Sequence, residues 1–353
     1  MDRAVAHRYT DPVDAIWVNA ARRLGIRIER ASDAYAAYDG RGALTIAQPA
    51  QLDADDCLAQ IVFHELCHAL VAGDEALEST DWGLCNEDSR DLTSEHATHR
   101  VQAALADRYG LRGLMAVTTE HRAHWDALPD DPLARASDPG QQPAVERALA
   151  AWLRSRKTPW RNVLYDALAA TSAIAQAVRA SAPVDSLWAQ TLPPHATGFA
   201  QHRNPARHCH DCAWHVQLGP GKPSSRCRQT LRGPGTSALR IDPAARACER
   251  WEPRLEGSDG CAPCGACCRE GFDLVHVRPR ERAARVLAAQ LQPTAYGLSL
   301  PRPGGLCVAL EGERASAGPY RCRIYADRPR ACADFAVASD ACLEARRRVG
   351  LSR

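Results

Sequence analysis

The sequence predicts an α+β fold, in which an N-terminal α+β domain is followed by a helical segment and two small cysteine-rich, metal-stabilised domains. Three observations predict it. Short segments between residues 25 and 47 alternate with the period of strands, and the segment 51–73 has the period of an amphipathic helix. Twelve of the fifteen cysteines lie between Cys209 and Cys342, where long periodic segments are rare. We therefore expect domains over 1–180, 200–255 and 256–353, the last two held together by metal bonds rather than by a large apolar core.

The composition excludes several classes of protein. The chain has 353 residues, of which 45% are hydrophobic and 24% charged, as in globular proteins. Its longest apolar stretches fall short of the roughly 20 residues that a membrane helix needs, so no membrane association is expected. The net charge of +2 does not favour a nucleic-acid partner. The first residues lack the apolar core of a secretory signal, which predicts a cytoplasmic location, where clustered cysteines are more often metal ligands than disulfides. The oligomeric state stays open.

The first domain opens with strands. The segments 25–31 and 33–47 alternate apolar and polar residues, and the sequence D-G-R-G at 39–42 is a turn signal between two of the three expected strands. An Asp-rich start and Gly73 bound the helix predicted over 51–73.

More helices follow these elements. A second helix is predicted over 93–109, before Gly110. The Ala-rich segment 143–180 is predicted to be helical with a break near Thr158 and Pro159. The cysteines that precede the cysteine-rich region, Cys57, Cys67 and Cys85, are expected to be inert thiols.

The predicted helix over 51–73 contains the sequence His64-Glu65-Leu66-Cys67-His68, which matches H-E-x-x-H. Residues four apart share one face of a helix, so His64 and His68 can direct both imidazoles at one Zn²⁺ ion. Glu65 lies beside that ion and is the expected catalytic base, which takes a proton from a water molecule.

Residues 20–128, with a strand hairpin before the H-E-x-x-H helix, resemble zinc metallopeptidases of the zincin type. The resemblance implies a third protein ligand and a coordination position left open for water. In the gluzincin subgroup that ligand is a Glu on a following helix, and Glu95 is the best match here. His99 and His96 are alternatives for the third ligand.

A four-cysteine module follows the connector at 181–208. Its spacing is Cys209-x2-Cys212-x14-Cys227-x20-Cys248. A C-x-x-C pair wraps one side of a metal, and two later cysteines complete a tetrahedral set of thiolates. Four thiolates suit either Zn²⁺ or an iron–sulfur cluster, and both remain open.

The C-terminal region begins with the sequence C-A-P-C-G-A-C-C, which contains Cys261, Cys264, Cys267 and Cys268. Over about 258–350 it resembles the CxxCxxCC (YkgJ-type) family of zinc- or iron-chelating domains, and its later cysteines occur in the family's order: Cys307, Cys322, Cys332 and Cys342. The resemblance implies zinc or iron chelation by these cysteines in a small, mostly helical fold.

The eight cysteines can form two four-thiolate sites, or one cluster with spare ligands. Adjacent side chains such as those of Cys267 and Cys268 are expected to diverge, which favours two neighbouring metal centres.

The motifs together predict a zinc-dependent, peptidase-like hydrolase that acts on a protein or peptide and carries zinc- or iron-chelating cysteine clusters. The alternative is a non-catalytic protein, either a zinc or iron chelator or an iron–sulfur redox protein, in which the H-E-x-x-H domain is degenerate. Zinc is the cofactor expected at the H-E-x-x-H site, and zinc, iron or an iron–sulfur cluster is expected at the cysteines.

Overall fold

The chain divides into two structural units, Met1–Pro205 and Ala206–Arg353, in a computed structural model. Each unit combines helices with small sheets, which agrees with the predicted α+β class. The predicted boundaries at residues 180 and 255 stay predictions. The structure describes residues 6–85, 91–118, 121–134, 136–217, 225–231, 236–254, 264–269, 274–295, 297–312 and 320–349.

The first unit contains the predicted strands as a three-stranded sheet. Its strands are β1 (Arg27–Ala31), β2 (Ala36–Tyr38) and β3 (Ala43–Ala47). β3 lies in the centre, parallel to β1 and antiparallel to β2, so β2 and β3 form the predicted hairpin. Gly40 in the turn has a φ of +69°, and a Cβ atom there would lie 2.8 Å from the backbone nitrogen of Thr80. Glycine is therefore required where this turn meets the chain after the second helix.

The described part of the first unit contains six α-helices, and five of them pack closely on one another. The six helices are α1 (Pro12–Arg23), α2 (Leu58–Ala72), α3 (Leu92–Asp107), α4 (Arg122–Asp126), α5 (Gln142–Ser155) and α6 (Trp160–Val178). The helical segment that follows residue 142 is interrupted between Ser155 and Trp160, as predicted.

The H-E-x-x-H helix α2 begins seven residues later than the sequence predicts. The Asp-rich segment before it forms turns, because its carboxylates bind other groups: Asp56 accepts hydrogen bonds from the backbone of Asp53 and from the Tyr35 hydroxyl. The helix starts after Cys57, whose backbone nitrogen donates to the Gln60 side chain at 2.7 Å. It ends at Gly73, as predicted, with a φ of +100°.

The position of α2 is fixed by its apolar neighbours. It packs against α1, α3 and α5, and Phe63, Leu66 and Leu70 are fully buried in the core of the first unit. The Phe63 ring lies 4.6 Å from that of Trp17 on α1. Burial of each such side chain contributes roughly 1.5–3 kcal/mol, so the helix that carries the motif is held rigidly.

The second unit contains short strands and short helices. The family resemblance implied a mostly helical fold for its C-terminal part, and the described residues differ from this, because residues 275–277, 292–294 and 297–300 form an antiparallel sheet there. The strands of this unit are β4 (His215–Gln217), β5 (Ser225–Cys227), β6 (Leu239–Arg240), β7 (Val275–Val277), β8 (Gln292–Thr294), β9 (Gly297–Leu300), β10 (Leu310–Glu311) and β11 (Arg321–Cys322). Its helices are α7 (Arg282–Val286), α8 (Arg330–Ala333) and α9 (Asp340–Arg348).

The apolar cores of the second unit are small. One cluster gathers Val275, Val277 and Leu300 of its antiparallel sheet, and another gathers Trp214 with Leu343 of α9. In the part of the chain that the structure describes, no helix is both long enough and apolar enough to cross a membrane.

Candidate metal centre

Helices α2 and α3 bring three ligand atoms together. The Nε2 atoms of His64 and His68 lie 3.0 Å apart, and the carboxylate of Glu95 lies 3.4 Å from the first and 3.2 Å from the second. Zn–N and Zn–O bonds of about 2.0–2.1 Å place two ligands of a tetrahedron about 3.3 Å apart. The three donor atoms therefore have the spacing of zinc ligands, and they are the three His and Glu groups that could hold an ion here.

Hydrogen bonds orient the two imidazoles. Gln102 on α3 donates its amide to the Met115 carbonyl at 3.0 Å, so its carbonyl oxygen faces His64 Nδ1 at 2.8 Å. His64 must therefore donate from Nδ1, which leaves Nε2, the nitrogen that faces Glu95 and His68, as the atom that can bind a metal ion. The Thr98 hydroxyl lies 3.2 Å from His68 Nδ1 and occupies the corresponding position on that ring.

His99 and His96, the alternative third ligands, lie differently. His99 is fully buried, with Nε2 2.8 Å from Glu95 and Nδ1 2.9 Å from His124. His96 contacts Gln141 at 3.2 Å. Glu95 is thus the side chain that approaches both motif histidines, and His99 contacts its Oε1, the same oxygen that faces His64.

The charges of the site favour a cation. Burial lowers the pKa of His64, but the bond to Glu95 and its charge outweigh burial and raise that pKa to about 9. Burial alone would raise the pKa of Glu95, yet the contacts with His64, His68 and His99 hold it far below its usual range. Burial also lowers the pKa of His99 to about 4. A positive charge among the three donors is therefore stabilised.

Glu65 lines a cavity of about 720 Å³ together with His64, His68 and Glu95. Its Oε2 accepts a hydrogen bond of 2.8 Å from the indole of Trp82. Trp82 could not be predicted as part of the site from the sequence, because D-W-G at 81–83 is a turn signal and carries no information about a long-range contact.

The backbone conformation at Asp81 and Trp82 directs this indole toward Glu65. Asp81 and Trp82 both have positive φ angles, +48° and +59°, which non-glycine residues seldom adopt. The Trp82 ring stacks on Tyr38 with centroids 3.8 Å apart, and the Asp81 carboxylate accepts from the Tyr38 backbone nitrogen at 2.9 Å. Sheet contacts therefore compensate the strained turn that places the indole on Glu65.

The four-cysteine module lies in the second unit. Cys209, Cys212, Cys227 and Cys248 are all buried, each with less than a tenth of its surface exposed. Burial raises the pKa of Cys209 to about 12 and that of Cys212 to about 11. These thiols are thus uncharged in the absence of a cation.

Most of the described C-terminal cysteines lie near one another, and Cys261 lies outside the described residues. Cys268, Cys307, Cys322 and Cys332 belong to one apolar cluster. The sulfurs of Cys267 and Cys268 lie 4.0 Å apart, so the expected divergence of these adjacent side chains is wrong. Cys264 lies 3.4 Å from the guanidinium of Arg346 on α9, the helix that also carries Cys342.

Among the described residues, His64, His68 and Glu95 form the one set of three His, Cys, Asp or Glu ligand atoms that lie within 4.8 Å of one another. The cysteine sulfurs form no such set in the same part of the chain. The structure therefore brings the histidine site to ligand distance, and it places the described cysteines near one another without closing a site.

Comparison with functionally characterised proteins and with solved structures finds no match for the chain. The family model that matches covers part of the second unit. Residues 260–348 match the CxxCxxCC family model, described as "Putative zinc- or iron-chelating domain".

Proposed function

We propose that this protein is a zinc-dependent, peptidase-like hydrolase whose zincin-like N-terminal domain carries the reaction and whose C-terminal cysteines chelate zinc or iron. The observation that carries the proposal is the spacing of 3.0–3.4 Å among the donor atoms of His64, His68 and Glu95, beside Glu65 in one cavity. Three protein ligands leave a fourth tetrahedral position for water or substrate, as catalytic zinc sites require.

His64, His68 and Glu95 would hold the zinc ion, and Glu65 would act as the base. Zinc, when bound, acts as a Lewis acid that polarises a carbonyl group and makes water more acidic. Glu65 binds the indole of Trp82 through Oε2, so Oε1 is the atom that can take a proton from water. Glu65 then gives this proton to the leaving amine, as a general acid.

The cavity around Glu65 fits an extended substrate. Its volume of about 720 Å³ lies within the range of small-molecule and peptide pockets, and it is lined by both polar and apolar side chains. Tyr35, Asp81 and Asp91 also line it and offer polar groups to the backbone of a peptide. A protein or peptide is therefore the proposed substrate class.

The experiment is a Glu65→Gln substitution in the full chain, assayed for zinc content and for cleavage of a generic peptide library. The glutamine carbonyl can still accept from Trp82, so the side chain keeps its position but loses its basicity. We expect unchanged zinc content and loss of cleavage. Glu75→Gln, an exposed substitution outside the cavity, is the control and should leave both unchanged.

A second variant tests the ligands. His64→Ala combined with His68→Ala should remove one equivalent of zinc from the full chain. Retention of that zinc would overturn the proposed site, and unchanged cleavage by Glu65→Gln would overturn the hydrolase function. For the C-terminal cysteines, Cys264→Ser combined with Cys267→Ser should lower the content of zinc or iron, and unchanged metal content would contradict chelation by them.

A further inference from the structure

We propose that one divalent metal ion, zinc or ferrous iron, is bound by Cys209, Cys212, Cys227 and Cys248. We further propose that this ion stabilises the position of helix α9. The site lies outside residues 260–348, so the family match does not include it. The proposal is independent of the hydrolase function, because it concerns only residues of the second unit.

The backbone brings the four cysteines to one end of a small sheet. Cys209 donates from its backbone nitrogen to Ala245 at 3.0 Å, three residues before Cys248. His215, three residues after Cys212, pairs with Cys227 across β4 and β5. Backbone hydrogen bonds thus join the segment of Cys209 to that of Cys248, and the segment of Cys212 to that of Cys227.

Three of these cysteines share a backbone contact of one kind. The carbonyl oxygen of the cysteine accepts a hydrogen bond from the backbone nitrogen three residues later: that of Cys209 from Cys212 at 3.2 Å, that of Cys212 from His215 at 3.0 Å and that of Cys248 from Trp251 at 2.9 Å. Each of these cysteines therefore begins a tight turn, which fixes the backbone from which its thiol extends.

No large apolar core is present in the described part of this module to replace the metal. The buried residues around the cysteines are Ala213, Trp214 and, from α9, Leu343. Segments with so few buried side chains need a metal or disulfides to fold. No three of the four sulfurs lie within 4.8 Å of one another, whereas two thiolates on one zinc are expected roughly 3.8 Å apart, so binding must draw the sulfurs closer together.

The module contacts α9 through the residue after Cys227. Arg228 donates to the Ala213 carbonyl at 2.7 Å and to the Ala338 carbonyl at 2.9 Å, and it pairs with Asp340 of α9 at 3.0 Å. Ala338 has a φ of +61°, a strained conformation for a residue other than glycine. An ion at Cys227 would hold Arg228, and with it the start of the helix that carries Cys342.

The test measures metal in the full-length protein, purified without oxygen. The variant Cys209→Ser with Cys248→Ser should lose one equivalent of zinc or iron. The matched variant Cys209→His with Cys248→His should keep it, because imidazole also binds these metals. The control variant Cys57→Ser, which changes a thiol of the first unit, should leave the metal content unchanged.

The second measurement is alkylation of Cys342 in the same variants. It should be faster after the serine substitutions and unchanged after the histidine substitutions, because only the former release α9. Retention of all metal by the serine variant, or equal loss by both double variants, would overturn the site. More than one iron per site with acid-labile sulfide would overturn a single ion in favour of a cluster.

Discussion

Gln102→Leu tests how the histidine site is organised. Gln102 is fully buried on α3 and makes two bonds, one with His64 Nδ1 at 2.8 Å and one to the Met115 carbonyl at 3.0 Å. Leucine has a similar volume but offers no acceptor to His64. Loss of such a partner typically weakens metal binding about 10–100-fold, which corresponds to about 1.4–2.7 kcal/mol. We expect the dissociation constant for zinc at this site to rise by that factor.

Gln60→Leu is the matched control for Gln102→Leu. Gln60 is also buried, its side chain accepts from the Cys57 backbone nitrogen at 2.7 Å and lies 3.5 Å from the Ala116 carbonyl, and it makes no hydrogen bond to the ligand side chains. Both substitutions leave buried polar groups without partners and should lower the free energy of unfolding by about 1–3 kcal/mol. Only Gln102→Leu should change zinc affinity.

The assay is equilibrium dialysis of the full chain against chelators of graded strength. The relevant zinc is the equivalent that is missing from the His64→Ala, His68→Ala variant. Equal zinc affinity in Gln102→Leu and the wild type would refute the reasoning that this amide fixes the imidazole. If Gln60→Leu weakened zinc binding as much as Gln102→Leu, the lower zinc affinity would be due to a general loss of stability.

Three further predictions follow from single contacts. Trp82→Phe keeps an aromatic ring on Tyr38 but removes the hydrogen bond to Glu65. The kcat for peptide cleavage should therefore fall about tenfold while the zinc content stays unchanged. Loss of zinc would contradict the role of Trp82 in positioning Glu65. Burial, with the charge of His96, lowers the pKa of His124 from 6.5 to about 3. As the pH drops below 6.5, His124 therefore binds a proton in the unfolded chain but not in the folded one, and the free energy of unfolding falls. Denaturant titrations at pH 7 and pH 5 measure how much the free energy of unfolding falls between the two. This fall should be smaller in His124→Gln than in the wild type by about 1 kcal/mol, after allowance for solvent screening. An identical fall in both proteins would contradict a buried neutral imidazole at His124. Arg228→Ala should speed hydrogen exchange in α9, whereas Arg330→Ala, which removes an exposed pair with Asp334, should not; equal rates would contradict the proposed role of Arg228 in positioning α9.

The sequence predicted the parts of the site that depend on local spacing. His64 and His68 lie on one face of α2 because four residues make about one helical turn, and this geometry needs no tertiary information. The strands at 27–47 and the break between α5 and α6 are likewise encoded in short segments with turn or proline signals. Such features follow from periodicity within a dozen residues.

Contacts between distant segments could not be predicted in this way. The sequence left the third ligand open between Glu95, His99 and His96, since all three lie within five residues of one another on α3 and only packing against α2 decides which one approaches the histidines. Trp82 depends on a strained turn that is held by Tyr38, more than forty residues away in the chain. The late start of α2 reflects carboxylates that bind side chains and backbone instead of capping a helix.

The two kinds of proposed metal site should respond differently to metal removal. His64, His68 and Glu95 already lie at ligand distance, on helices whose apolar faces are buried in a large core. The cysteines of the second unit are surrounded by few buried apolar residues, and among the described residues no three of their sulfurs lie within 4.8 Å of one another. Chelation of the full chain should therefore leave α1 to α6 folded, with slow hydrogen exchange, while exchange in β4 to β6 and α9 becomes fast. Equal loss of protection in both units would mean that the first fold also depends on its ion, and the burial of Phe63, Leu66 and Leu70 argues against that.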